Sequence, residues 1–144
     1  MPTTTKDVRD ALYAIIGSVS TTVIASYYKY PNPSPSAYPC CYPVLKEVRD
    51  KFSEDTQYDA AAMDFIIRIV VKDNNDEATD TMMHDAMAAV LAALRKKANA
   101  TLGGLVHKFH VSNTIQVFRS QQEQLDVIVC DILCTAESLV DMTL

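Results

Sequence analysis

The chain contains no tryptophan and only three glycines in 144 residues, and each scarcity excludes something. Gly103-Gly104 is the only glycine cluster, and no Lys-Ser/Thr follows it to hold phosphate and Mg²⁺, so there is no nucleotide-cradling loop. No stretch approaches the roughly 18 to 20 apolar residues that a membrane span requires. The opening Met-Pro-Thr-Thr-Thr-Lys-Asp lacks the basic region and apolar core of a secretion signal, which places the chain in a cytoplasm. A basic excess is missing too: 13 Lys and Arg face 18 Asp and Glu, for a net charge of −5. That balance argues against a duplex-DNA reader, which carries a cationic face to displace phosphate counterions. It leaves room for a channel through which DNA slides, where attraction would be a hindrance.

Residue constellations for chemistry are equally thin. The four cysteines, in a cytoplasm, read as free thiols. Cys40-Cys41 with His107-x-x-His110 comes nearest to a metal set, but three residues is an odd step on a strand and puts the histidines on opposite faces. Adjacent cysteines are also poor joint ligands beside the spacing of structural zinc sites, so no metal and no cofactor is expected. Cys130 and Cys134 share a strand face and read as core. His84, beside Asp80 and Asp85, reads as a solvated helix face, and the acidic turn Asp73 to Asp80 lacks the glycine and terminal glutamate of a calcium loop. No Cys or Ser stands in a local signature with His and a carboxylate. The expectation is a protein that is not an enzyme.

What is present is an organising strand, Met-Asp-Phe-Ile-Ile-Arg-Ile-Val-Val at 63–71. Met63, Phe65, Ile67, Ile69 and Val71 form a wholly apolar face, whereas Asp64, Ile66, Arg68, Val70 and Lys72 mix charge with branched aliphatics. Such a mixed face is too apolar for water and too charged for an interior without partners. It points to contact with another subunit.

Around this strand the chain reads as one domain over 1–144, long enough to bury roughly 68–70% of its unfolded surface. A helix is predicted over 4–17, opened by a Thr4/Asp7 capping box and carrying Val8, Ala11, Leu12, Ile15 and Val19 at helical spacing. Thr21 to Tyr30 favours a short strand. Pro31 to Pro43 then reads as an extended, semi-rigid loop. Tyr27, Tyr28, Tyr30, Tyr38 and Tyr42 gather around it. They suit either a surface loop pinned by aromatic packing or a contact arm, since tyrosine is enriched at interface hot spots.

Val44 to Phe52 is a predicted strand ending in a Ser-Glu-Asp turn. After the organising strand, Asn74 or Asn75 is a suitable N-cap for a helix reaching Lys97. That helix has acidic residues at its start and Arg95, Lys96 and Lys97 at its end. Its apolar stripe is Met83, Met87, Val90, Leu91 and Leu94, widened by Ala86, Ala89 and Ala93. A strand from Leu105, broken near Ser112-Asn113, runs through Phe118 to a turn at Ser120–Glu123. Leu125 to Cys134, apolar on both faces, is predicted as the central strand, with Asp131 in need of a partner. Ala136 to Leu144 is weakly patterned. The fold class is α+β: a mostly antiparallel sheet of four to five strands with two main helices on one face.

This order of segments resembles the tail terminator, or tail completion, proteins of long-tailed bacteriophages. The resemblance rests on Tyr28-Lys-Tyr-Pro31, Tyr38-Pro39 and Tyr42-Pro43 after an N-terminal helix, and on Phe-Ser-Glu-Asp-Thr (52–56) before the long strand. Thr-Leu-Gly-Gly (101–104) after a single amphipathic helix and a two-stranded ending complete it. The vicinal Cys40-Cys41 departs from the pattern, as does the absence of a small polar turn with aromatics before the last strand. The resemblance implies a hexameric homo-oligomeric ring in the virion, assembled in the host cytoplasm, at the head-proximal end of the tail tube. Its partners would be the tube protein and a neck or head-closure protein, with DNA passing through the lumen unbound and no membrane involved. Subunit contacts are expected from the sheet edge, the tyrosines at 27, 28, 30, 38 and 42, and Asp64, Ile66, Arg68, Val70 and Lys72. Other readings are another neck ring, such as a head-closure or adaptor protein, a tube subunit, or a small α+β enzyme or ligand-binding domain.

Overall fold

The computed structural model describes residues 4–32, 34–52, 58–122 and 124–141. Helix α1 (Thr5–Gly17) opens as the sequence predicts. The Thr4 hydroxyl accepts from the Asp7 amide at 3.2 Å, and the Asp7 carboxylate accepts from the Thr4 amide at 3.0 Å. Those hydrogen bonds hold the Asp7 carboxyl below its ordinary pKa. Val8, Leu12 and Ile16 form the buried stripe.

The strand expected over Thr21 to Tyr30 shrinks to β1 (Ser26–Tyr27). Ser20 diverts the preceding residues into a local turn, its hydroxyl accepting from the Thr22 amide and its carbonyl from Val23 and Ile24. Conversely, the proline-rich stretch is less of a loop than expected, because β2 (Cys40–Phe52) begins inside it. Pro43 is tolerated there because β1 covers only Cys40 and Cys41, so the ladder position without an N–H lies on an open edge. The expected Ser-Glu-Asp turn at 53–55 lies outside the described residues.

Strand β3 (Tyr58–Lys72) contains the organising stretch. Helix α2 (Glu77–Leu94) is capped by Asp76, whose carboxylate accepts from the Thr79 amide at 2.8 Å, rather than by Asn74 or Asn75. It also stops earlier than the expected Lys97. Lys96 is extended, a 3-10 turn covers Lys97–Asn99, and the Asn99 side-chain amide donates to the Ala93 carbonyl at 2.8 Å, satisfying an acceptor of the last turn. Gly103 and Gly104, with φ of 70° and 90°, carry the chain round in the left-handed conformation that glycine adopts without strain.

This turn absorbs Leu105 and His107, so β4 (Lys108–Gln122) starts later than expected. Its register does break between Val111 and Ile115, as Ser112-Asn113 suggests. The ladder runs on into the expected turn, as far as the pair of Gln122 with Leu125. The last strand, β5 (Leu125–Asp141), continues well beyond Cys134, because its tail pairs with the beginning of β3, from Met63 with Ala136 to Tyr58 with Asp141.

The sheet order is β1-β2-β3-β5-β4, antiparallel except for the parallel β1–β2 pair. β3 therefore takes the central position expected of β5, and β5 lies between β3 and β4, with Ile128, Cys130, Ile132 and Cys134 in the main core and Val127 and Val129 in a smaller one on the other face. The fold is α+β, with both helices over the odd face of β3. Met63, Phe65, Ile67, Ile69 and Val71, none more than 4% exposed, meet Val8, Leu12 and Ile16 of α1 and Met83, Ala86, Val90 and Leu94 of α2. Met87 and Leu91 are only partly buried at the edge of this core.

Leu94→Ala, which empties a core position, is expected to cost about 2–5 kcal/mol. Met82→Ala, on the exposed side of the same helix, should stay within about 0.5 kcal/mol. Urea denaturation of both variants measures the contrast, and equal effects would reverse the assigned orientation of α2.

Candidate assembly surface

The even face of β3 carries no helix among the described residues, and its side chains divide into three zones. Residues directly opposite on antiparallel strands point to the same side, so this face can be followed across the sheet from the register.

At one end, Val70 is buried by its own chain. Together with Cys40, Tyr42, Val127 and Val129 it forms a second, smaller core, against which Tyr28, Tyr38 and Val44 pack. The proline stretch is fixed here by the Tyr28 hydroxyl, which accepts from the Ser36 amide at 2.8 Å, and by Ser26, whose hydroxyl donates to the Ala37 carbonyl at 2.6 Å. The Tyr38–Pro39 peptide is cis. Three of the five tyrosines singled out in the sequence, Tyr28, Tyr38 and Tyr42, therefore line one apolar patch. Tyr27 faces α1, its ring centroid 5.3 Å from that of Tyr13, and a Cβ on Gly17 would come within 2.9 Å of the Tyr27 ring. Tyr30 is 65% exposed.

In the middle zone the charges neutralise one another across strands. Arg68 donates to both carboxylate oxygens of Asp131, at 2.8 and 2.9 Å. The hydrogen bond with Asp131 raises the Arg68 pKa further, so the guanidinium stays charged. Tyr42 lies opposite Arg68, its phenol pushed up by burial. Asp64 accepts from Arg49 at 3.0 Å and from the Thr135 hydroxyl at 2.8 Å. Asp131, flagged by the sequence as needing a partner, thus finds it directly opposite in the β3–β5 ladder. The sequence did not reveal Arg49 and Thr135 as partners, although opposite charges on predicted neighbouring strands are the signal to look for.

Between and beyond these pairs lies the open zone. Ile66, Val44 and Leu133 are half-buried, and Phe118 and Leu125 are 41% and 39% exposed. A depression of about 120 Å³ lies where Ile66 and Leu133 meet Lys46, Gln116 and the bulge residues Ser112 and Thr114. Lys72, at the far end, is exposed. The surface is apolar, with its strongest charges already paired internally. It can lie against another protein without leaving the Arg68 or Asp64 charge unpaired.

Groups suited to covalent chemistry lie away from this surface or beneath it. Burial pushes the Cys40 and Cys130 thiols up to about 11, Cys134 to about 12, and Cys41 well above its ordinary value. All four are thiols, not thiolates, at neutral pH. Among the described residues no three His, Cys, Asp or Glu side chains come together as metal ligands, and no helix is long and apolar enough to cross a membrane.

Neither a protein-family model nor a curated protein sequence matches the chain. The fold is nevertheless shared with a solved structure, a chain of the virion of a native gene transfer agent (GTA) particle. The two superpose with a TM-score of 0.60 over 91% of this chain and 95% of that one, at 17% sequence identity.

Asp131→Ala should destabilise the protein by about 1–3 kcal/mol, the cost of an orphaned partner. That is less than for a fully enclosed pair, because Arg68 keeps 33% of its side chain in solvent. Arg68→Met combined with Asp131→Leu should recover most of the loss in chemical denaturation. A thiol-specific chromophoric reagent at neutral pH should label the native protein slowly and all four cysteines after unfolding; fast labelling of the native protein would contradict the burial described.

Proposed function

We propose that the chain is a structural virion protein of the phage type. It forms a ring that caps the tail tube at its head-proximal end, ends tube polymerisation and joins the tail to the neck. The observation that carries this reading is the helix-free sheet face, apolar in its open zone and self-neutralised in its charged one. A surface of that kind costs little to dehydrate against a neighbour and offers no reactive group to a substrate. The likeness of fold to a chain of a gene transfer agent virion, over nearly the full length of both, supports the class of assembly. Six subunits, the tube and neck partners and the position in the tail come from the resemblance to tail terminators.

Ile66, Arg68 and Val44 are proposed to lie at the subunit seam, with Lys72 and Tyr30 at its margins. Tyr28, Tyr38, Tyr42 and Val70 serve it indirectly, by holding the proline segment against the sheet. The net charge of −5 suits a bore through which DNA passes without adhering. The second reading is a tube subunit, which the long β2 and β4 edges would also serve.

Electron microscopy of the purified protein, alone and mixed with tail tubes, separates these readings. A terminator gives single rings or ring-capped tubes; a tube subunit gives filaments by itself; a monomer or dimer that never joins a tail favours the small enzyme or ligand-binding domain. Tyr30→Ala and Ile66→Asp should leave the circular dichroism unchanged. Each should weaken the subunit contact by about 2 kcal/mol, roughly thirtyfold. Normal assembly of both variants would remove these residues from the seam.

A further inference from the structure

Helix α2 presents an exposed side, across the sheet from the even face of β3. Met83, Ala86, Val90 and Leu94 turn inwards onto β3, so the line pointing most directly outwards passes through Glu77, Thr81, Ala88 and Arg95, all exposed. A solvated helix face ordinarily carries polar and charged residues along its length. Here the exposed residues between Asp85 and Arg95 are Ala88 and Ala92 alone, with Met87, Ala89 and Leu91 half-buried beside them. The second half of the helix thus meets solvent without a charge.

The two ends of this face carry opposite signs. Asp73, Asp76, Glu77, Asp80 and Asp85 have no Lys or Arg among them, whereas residues 86–122 hold no Asp or Glu and include Arg95, Lys96, Lys97, Lys108 and Arg119. Some of these charges are used within the chain: Asp73 by Arg119 at 3.5 Å, Asp80 by His84 at 3.5 Å, and Asp76 as the helix cap. Among the described residues Glu77, Arg95, Lys96 and Lys97 form no ion pair, and the Arg95 guanidinium reaches only the Ser112 carbonyl, at 3.4 Å. Compensation of the helix dipole accounts for acid in the first turn. It accounts less well for the other end, because the last turn contains no basic residue, Arg95 is the cap, and Lys96 and Lys97 lie past it.

Eighteen residues separate Glu77 from Arg95, five turns of helix, so the two stand on one line about 27 Å apart and cannot meet within a chain. Two such helices laid parallel in register would set like charge against like. Laid antiparallel they set acid against base at both ends, and the small Ala88 lets the backbones approach near the middle. We propose that this face pairs with α2 of a second copy, antiparallel about a two-fold axis, with Glu77 of each copy against Arg95 of the other. The contact is isologous. It lies on the opposite side of the sheet from Ile66 and Arg68, so it leaves the proposed seam free and stands or falls apart from the ring reading.

Charge exchange in the full chain tests it. Glu77→Arg and, separately, Arg95→Glu should each weaken pairing about tenfold or more in sedimentation equilibrium. The chain carrying both changes should regain it, as should an equimolar mixture of the two single variants. Cross-linking reads the orientation, since the native thiols are buried. His84→Cys mixed with Ala88→Cys should be joined by a short bis-maleimide, because these positions face each other across the axis. Thr81→Cys alone should not be joined, its two copies lying about 15 Å apart along the helices. Unchanged pairing in both charge variants, or cross-linking at Thr81 in place of the mixed pair, would overturn the contact while leaving the ring reading untouched. So would an Arg95→Glu variant that loses affinity for duplex DNA with its pairing intact, which would assign the basic end to phosphate.

Discussion

Pairing of β3 with its two neighbours in a single register is the constraint on which the remaining structure depends. A strand has a side-chain period of two, so a slip of one residue would bring Asp64, Arg68 and Lys72 under the helices and expel Phe65, Ile67 and Ile69 into solvent. Hydrophobic burial alone sets the face. The cross-strand bonds from Arg68 to Asp131 and from Thr135 to Asp64 also set the exact partner, since a slip of two residues would preserve the apolar face and break both. Helix placement follows from that choice. α1 and α2 cover the one face that is wholly apolar, and the tyrosines around the proline stretch cover only the end of the other where Val70 and Val129 leave it without charge.

The elements legible in the sequence were those whose physics is local. The Thr4/Asp7 capping box, the apolar stripe of α2, the alternation of β3 and the break near Ser112 all depend on residues a few positions apart, and all are present, with Met87 and Leu91 of the stripe only at the core's edge. The departures have long-range causes. Ala136 to Asp141 has little pattern of its own and becomes strand because the start of β3 supplies a ladder 73 to 83 residues away in sequence. Helix α2 stops at Leu94 because Asn99 folds back on the Ala93 carbonyl, a contact that propensity does not announce. Cys40 to Pro43 joins the sheet because two residues of β1 and the facing residues of β3 complete its pairing.

The candidate surface was visible in outline and not in detail. Alternation exposed the mixed composition of Asp64, Ile66, Arg68, Val70 and Lys72, but only the register divides them. Val70 is enclosed, Asp64 and Arg68 are paired within the chain, Ile66 is left half-open, and Lys72 is exposed. The same holds for the tyrosines, of which Tyr27 braces a helix, three line the small core and Tyr30 faces out. The outer side of α2 was legible in part: the charges at its two ends stand in the sequence, but which line faces out follows from how the helix lies on β3.

Adjacent residues on a strand face opposite ways, so Cys40 points into the small core and Cys41 into the large one. The vicinal pair therefore cannot bridge without tearing one of them from its packing. Its thiols are enclosed and protonated, and peroxide and disulfide exchange both act on exposed thiolate. The fold thus holds its sulfur unaltered in reducing and in oxidising surroundings alike, and none of its shape is owed to a cross-link between these two positions.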